Sequence, residues 1–279
     1  MTQPQIDTNA FHQFEHDGWA QASDAYHRYF GSLTSQAIGP LLDAVSAEPK
    51  TNLLDIASGP GYVSAEAQRH GWTPIGVDFS EAMVAMARKL HPAIDFQVGN
   101  AEALRFRDSQ FAAAVMNFGI LHLAQPEAAV REAYRVLHPG GLFAFTVWAE
   151  PEEALGFGVA LDAIREFGDP NVQLPAGPPF FRFSAHAECV RVLENAGFEE
   201  VVIAQLPLVW KLASSADVFE AFYRGSARTG GLLRAQPAAA LAKVREAIEK
   251  RAAAYARTPT RLEVPMPALV VSACKPHSR

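Results

Sequence analysis

The stretch Leu53-Leu54-Asp55-Ile56-Ala57-Ser58-Gly59-Pro60-Gly61-Tyr62 constrains this chain more than any other. An apolar run with the pattern of a buried strand carries an acid and passes into a loop with two glycines, and residues 63–70 then read as a helix. Glycines in such a loop let the backbone approach a ligand closely, and the amides that open the next helix favour an anion. Seventeen residues after Gly61, a second strand-like run (Thr73 to Val77) ends in Asp78. An acid about 20 residues beyond a glycine turn is where a ribose hydroxyl pair is usually held, so the pairing predicts a site for a nucleoside-containing cofactor.

The surrounding pattern fits a sheet built for such a site. Strands are predicted over 52–57, 73–78, 94–98, 112–117 and 141–148, with helices near 63–70, 80–90 and 126–137. This alternation implies parallel strands with right-handed crossovers and helices on both faces. Ser80 followed by Glu81 suits a helix start, and Pro139-Gly140-Gly141 turns a helix into a strand. Residues 10–47 read as two or three short helices that Pro49 and Lys50 close. Beyond Trp148 come a helix over 151–168, a Pro/Gly/Phe-rich loop over 169–183 with Phe180, Phe181 and Phe183, and a helix from Ser184 to Ala196. A sixth strand over 198–210, a long helical stretch over 214–257 and a last strand from Val264 to Ala273 follow. The predicted division is an N-terminal helical lid (1–48), a cofactor-binding core (49–213 with 262–279) and a helical cap inserted before the last strand (214–261).

Composition narrows the function classes. With 49% hydrophobic residues among 279, the chain can bury a large core. A net charge of −6 and the lack of a basic run argue against general nucleic-acid binding, which depends on clustered Lys and Arg neutralising phosphates; Arg105 and Arg107 merely alternate on a short loop. Cys189 and Cys274 lie far apart without CxxC spacing, which speaks against a metal site or disulfide framework and fits a reducing cytoplasm. The polar start (Asp7, Glu15, Asp17) has no signal-peptide core, and no apolar run approaches the ~18 residues of a membrane span.

Four segments taken in order, Leu54–Tyr62, Gly76-Val77-Asp78-Phe79-Ser80, Gly99-Asn100-Ala101-Glu102-Ala103-Leu104 and Glu132-Ala133-Tyr134-Arg135-Val136-Leu137-His138-Pro139-Gly140-Gly141, resemble the class I S-adenosylmethionine-dependent methyltransferases. The resemblance is nearest to the small-molecule group that includes quinone-biosynthesis enzymes, and it covers roughly residues 50–148. It implies an α/β fold, a doubly wound, seven-stranded Rossmann-like sheet whose last strand is antiparallel, and S-adenosylmethionine as cofactor. Two positions depart from the family pattern. Ala57 stands at the first glycine of the loop, which a backbone with φ below zero tolerates, and Asn100 stands where an acid is common but still offers a carbonyl oxygen.

Residue by residue, the resemblance implies that Asp55, Ala57, Gly59 and Gly61 line the methionine moiety and that Asp78 accepts from both ribose hydroxyls. Phe79 and Met83 would flank the adenine, and Asn100, Ala101 and Glu102 would read its edge. Asn117 would sit by the amino group or the reactive methyl, and Tyr26, with Tyr29, would close over the cofactor. His122 is the histidine nearest the expected reaction centre and the candidate catalytic base; its bland alternative is a structural residue of the apolar segment 118–123. Likewise the glycines could serve a tight turn, Asp78 a helix cap, Phe79 and Met83 the core, and the asparagines turns. Trp148, Trp210 and one face of the cap (Val218, Phe219, Phe222, Tyr223, Leu232) are expected beside the acceptor pocket.

The implied chemistry is in-line methyl transfer to a small-molecule acceptor, for which positioning can supply roughly 7–11 kcal/mol. A base is needed only for a weakly acidic acceptor. One rival is a nicotinamide-dependent oxidoreductase, whose fingerprint puts a third small residue where Ser64 stands; the other is a non-catalytic S-adenosylmethionine-binding module. The sequence leaves the acceptor, the methylated atom and the oligomeric state open, a homodimer included.

Overall fold

The computed structural model describes residues 7–46 and 51–277, so the boundary expected at Pro49 and Lys50 lies outside the described residues. The chain runs through α1 (Thr8–Tyr29), α2 (Gly31–Thr34), α3 (Ile38–Asp43), β1 (Asn52–Ile56), α4 (Tyr62–Arg69), β2 (Thr73–Asp78) and α5 (Glu81–Leu90). Next come β3 (Asp95–Val98), β4 (Phe111–Asn117), α6 (Pro126–Val136), β5 (Leu137–Trp148), α7 (Leu155–Phe167), α8 (His186–Asn195) and β6 (Glu199–Leu206). The remainder is β7 (Val209–Leu212), α9 (Ala216–Gly225), α10 (Arg228–Arg234), α11 (Ala238–Ala252), β8 (Ala256–Thr258), β9 (Arg261–Pro265) and β10 (Ala268–Cys274).

Two compact units emerge. The sheet unit takes in Thr34–Trp148, Pro178–Leu206 and the chain from Ala268 on. Its seven strands lie in the order β3-β2-β1-β4-β5-β10-β6, and β10 runs antiparallel to both neighbours while the other pairings are parallel. This is the doubly wound α/β sheet that the strand–helix alternation predicts. Leu53, Leu54, Ala113, Ala114, Val115, Phe143 and Ala144 are fully buried, as strands covered on both faces require. The order reverses between β1 and β4, and in open α/β sheets the crevice at such a switch point receives ligands. Ser80 caps α5 as its sequence suggests, its Oγ accepting the Met83 N–H at 3.4 Å.

The helical unit comprises the described residues up to Leu33, Ala149–Gly177 and Pro207–Pro267. In it α1 packs on α9, α11 packs on α7, and β7, β9 and β8 form a small antiparallel sheet. Asp7 caps α1, its carboxylate accepting the Asn9 and Ala10 N–H groups. Small residues let the helices close: a Cβ on Gly18 would lie 2.7 Å from the Ala227 methyl. Trp210 is wholly buried here, stacked on Phe30 at 4.7 Å, and its Nε1–H donates to the Tyr29 carbonyl at 2.7 Å. It is therefore a core residue with its polar atom satisfied, not the pocket aromatic expected from sequence. Val218, Phe219 and Phe222 are buried as well.

Three boundaries differ from the sequence reading. Residues 8–29 form one 22-residue helix rather than several short ones. The strand expected over 198–210 breaks at Pro207, and that over 264–273 breaks at Met266 and Pro267. Proline has no N–H for a ladder, so each strand leaves the large sheet there and resumes in the small one. The two breaks meet, the Met266 N–H donating to the Leu208 carbonyl at 2.8 Å.

Candidate cofactor site at the ends of β1, β2 and β4

Parallel register sets the carboxyl ends of β1, β2 and β4 side by side, which brings together residues distant in sequence. Asp55 on β1 is fully buried. Its Oδ2 accepts from the Ser64 N–H at 3.0 Å and from the Ser64 hydroxyl at 2.6 Å. Its Oδ1 is buried with no hydrogen-bond partner among the described residues. Burial pushes the carboxyl up to about 7, against the opposing pull of the Ser64 hydrogen bonds and with help from the charge of Asp78. A buried acid with one unused oxygen suits a cationic partner, which would favour its charged form.

Asp78 ends β2 with both oxygens engaged: Oδ2 accepts the Gly59 N–H at 2.8 Å and Oδ1 the Ser80 N–H at 2.9 Å. A carboxylate offers about four lone-pair sites, the acceptor chemistry that a diol calls on. Between these acids the loop runs through Gly59 at φ +50° and Gly61 at φ +81°, left-handed conformations that favour glycine. A Cβ on Gly59 would meet nothing within 4 Å, so that side of the loop is open to a close approach. A Cβ on Gly61 would instead lie 2.4 Å from Cζ of Phe96, a β3 ring packed behind the loop. Ala57 also lies in the left-handed region, at φ +55°. This corrects the expectation of a negative φ there: the loop keeps the glycine-like path and the alanine takes the strain.

At the end of β4, Phe118 again has φ +55°. Its N–H donates to Thr146 Oγ1 at 2.9 Å, the Thr146 hydroxyl donates to Asn117 Oδ1 at 2.7 Å, and the Asn117 amide donates to the Thr34 carbonyl at 3.2 Å. The Phe118 ring stacks on Trp148 at 4.0 Å. His122 follows in a short 3-10 turn, its ring edge-on to Phe180 at 5.8 Å.

On the β3 side, Asn100 lines a cleft with Val77, Gly99, Leu104 and Phe106. Its Oδ1 accepts the Glu102 N–H at 2.9 Å, and Glu102 in turn accepts the Gln125 N–H at 2.9 Å. Ala101 and Met83 are nearly fully buried, whereas Phe79 is half-buried. Arg135 and Glu132 hold this loop: Glu132 accepts the Leu104 N–H at 2.7 Å, and Arg135 donates to the carbonyls of Leu104 and Phe106 at 2.9 and 2.7 Å. Hydrogen bonding from Arg135 keeps the Glu132 carboxyl below the usual range. Tyr26 belongs to the helical unit, stacked on Phe30 at 5.9 Å and edge-on to Trp19 at 5.4 Å.

Sequence reasoning assigned no site role to Ser64, Ser58, Phe118 or Thr146. Ser64 carried a signal, three residues after Gly61, but it clamps Asp55 rather than serving as the third small residue of a dinucleotide turn. The Ser58 hydroxyl is a second buried polar atom of the loop without a partner among the described residues. The residues present thus fit a nucleoside-bearing cation: an acid with an open oxygen, a ribose-type acid and an open glycine edge. Among the described residues no cluster of three or more His, Cys, Asp or Glu could hold a metal ion, and no helix is long and apolar enough to cross a membrane.

Known proteins resemble part of the chain. A family described as a methyltransferase domain matches residues 54–145. Demethylmenaquinone methyltransferase of Renibacterium salmoninarum is 35% identical over 111 residues, 40% of this chain and 47% of that protein. Ubiquinone/menaquinone biosynthesis C-methyltransferase UbiE of Bradyrhizobium diazoefficiens is 37% identical over 130 residues, 43% of this chain and 50% of that protein. The chain thus spans about half the length of the curated relatives it matches. Among solved structures, the YcgJ protein of Bacillus subtilis superposes with a TM-score of 0.58 at 19% identity, over 87% of this chain and 99% of that one, a likeness of fold. Residues 54–145 thus match a methyltransferase domain, carried on a sheet whose order reverses between β1 and β4 with acids at the ends of β1 and β2.

Proposed function

We propose that this protein transfers a methyl group from S-adenosylmethionine to a small-molecule acceptor. The observation that carries the reading is the buried Asp55, one oxygen clamped by Ser64 and the other unused, beside a loop that Gly59 ties to Asp78. The cofactor, when bound, supplies a methyl group on a positively charged sulfur. Asp55, Ala57, Gly59 and Gly61 hold its methionine portion, and Asp78 takes the ribose hydroxyls. Phe79 and Met83 flank the adenine while Asn100, Ala101 and Glu102 read its edge. Asn117 borders the methyl, its amide oriented by Thr146 and the Thr34 carbonyl.

Transfer then rests on positioning, with His122 the nearest candidate to take a proton from a weakly acidic acceptor. The family match covers residues 54–145 alone, so the acceptor is to be found by assay. Two distant free cysteines suit a reducing cytoplasm.

The test has two stages. S-adenosylhomocysteine is expected to bind and raise the melting temperature by mass action, and NAD to do neither. Labelled methyl should then appear on a member of a panel of phenols, quinol precursors and amine metabolites. Binding without transfer to any acceptor would favour a non-catalytic module, and stabilisation by NAD alone would overturn the reading.

A further inference from the structure

Among the described residues four other than glycine adopt left-handed backbone: Ser109 and Glu200 at exposed positions, and Ala57 after β1 and Phe118 at the end of β4, which both have φ +55° and follow adjacent parallel strands. Residues of L configuration are held in that region only where the surroundings over-determine them, and such residues gather at functional sites. The surroundings are visible here. Phe118 is fixed by its N–H bond to Thr146 and by its ring on Trp148. Ala57 meets the very next residue: a Cβ on Gly119 would lie 2.6 Å from the Ala57 methyl, and 2.8 Å from Met116 Cγ. The methyl of Ala57 therefore occupies the room that residue 119 leaves by being glycine. The loop that carries the first departure from the family pattern leans directly on the turn that presents Asn117, Phe118 and His122.

We propose that Ala57 is a positioning residue, whose methyl group transmits the seating of the cofactor loop to the 117–122 turn so that a filled loop fixes the side from which the acceptor is approached. A glycine at 57 would keep the backbone path and remove the contact. The inference rests on the cofactor reading above, because the loop must be the part that the nucleoside cation seats.

Hydrogen–deuterium exchange of the segment 116–122 tests it, with S-adenosylhomocysteine saturating each protein. In the wild type, binding should slow exchange there by about tenfold or more, the scale on which local opening responds to added contacts. In Ala57→Gly the slowing should fall below about threefold despite full occupancy. In Ala57→Gly/Gly119→Ala, where the methyl returns from the other side of the contact, much of the slowing should come back; Gly119 has φ −81°, so alanine fits its backbone once the Met116 side chain, whose Cγ lies 2.8 Å from that Cβ, shifts aside. Slowing that persists in Ala57→Gly would overturn the proposal, since the contact would then transmit nothing. Loss without recovery in the double variant would overturn it too, by assigning the effect to backbone freedom at 57. If S-adenosylhomocysteine binds none of the three, the cofactor reading itself falls.

Discussion

The Gly59 N–H donates to Asp78 Oδ2 at 2.8 Å, so the glycine loop after β1 and the acid at the end of β2 form one hydrogen-bonded piece. The acid that would hold a ribose also sets the loop that would hold the methionine end. Asp78→Ala is accordingly expected to abolish measurable S-adenosylhomocysteine binding in calorimetric titration. It should also cost stability, roughly 1–3 kcal/mol per buried amide left without its acceptor. Wild-type affinity in this variant would remove Asp78 from the site.

Gly59→Ala separates turn from cradle. The left-handed backbone alone should cost about 1–2 kcal/mol in urea unfolding. A methyl on the open edge should in addition weaken S-adenosylhomocysteine by more than about tenfold, a loss of ~1.4 kcal/mol or more in binding. A stability loss with unchanged affinity would make the glycine a turn residue only.

Asp55 should make the stability of the empty protein depend on pH. Its folded value of about 7 lies above its ordinary 3.8, so between these values the folded state holds the proton that the unfolded state releases. Stability is therefore expected to fall as pH rises from about 4 to about 7, by an amount on the order of 4 kcal/mol from this group. Asp55→Asn should flatten that slope in denaturant titrations. Binding of S-adenosylhomocysteine, whose ammonium favours the charged carboxylate, should release a proton below pH 7, which calorimetry in buffers of different ionisation enthalpy reads directly.

His122→Phe keeps a ring against Phe180 and removes both nitrogens. If the acceptor needs a base, turnover should drop by about 100-fold or more with cofactor affinity retained. A drop under about threefold would leave His122 as a packing residue of the 118–123 segment.

The sheet was legible because its signals are local: apolar runs of strand length, a cap at Ser80, a glycine loop and an acid at the expected distance. The same holds for Asp55 and Asp78, which sit at strand ends by simple alternation of elements. Ala57 was not legible, because the room for its methyl in a left-handed backbone comes from a glycine remote in sequence, Gly119. The clamp of Ser64 on Asp55 and the loop-holding role of Arg135 depend on tertiary approach in the same way. The strand breaks at Pro207 and Pro267 could have been read, since a proline inside a strand pattern argues against continuity. They mark where the chain passes from one compact unit to the other.

The place of β10 between β5 and β6 bears on how the protein is made. During synthesis β5 and β6 emerge well before residues 268–274, yet β5 finds its second sheet neighbour, and β6 its first, only in that late segment. Until then β5 presents a bare, apolar edge of the growing sheet and β6 has no strand beside it, the condition in which nascent chains associate wrongly. The ribosome-bound intermediate is thus the most vulnerable form of this protein, and a premature stop before Ala268 should yield insoluble chains even with the whole glycine loop in place.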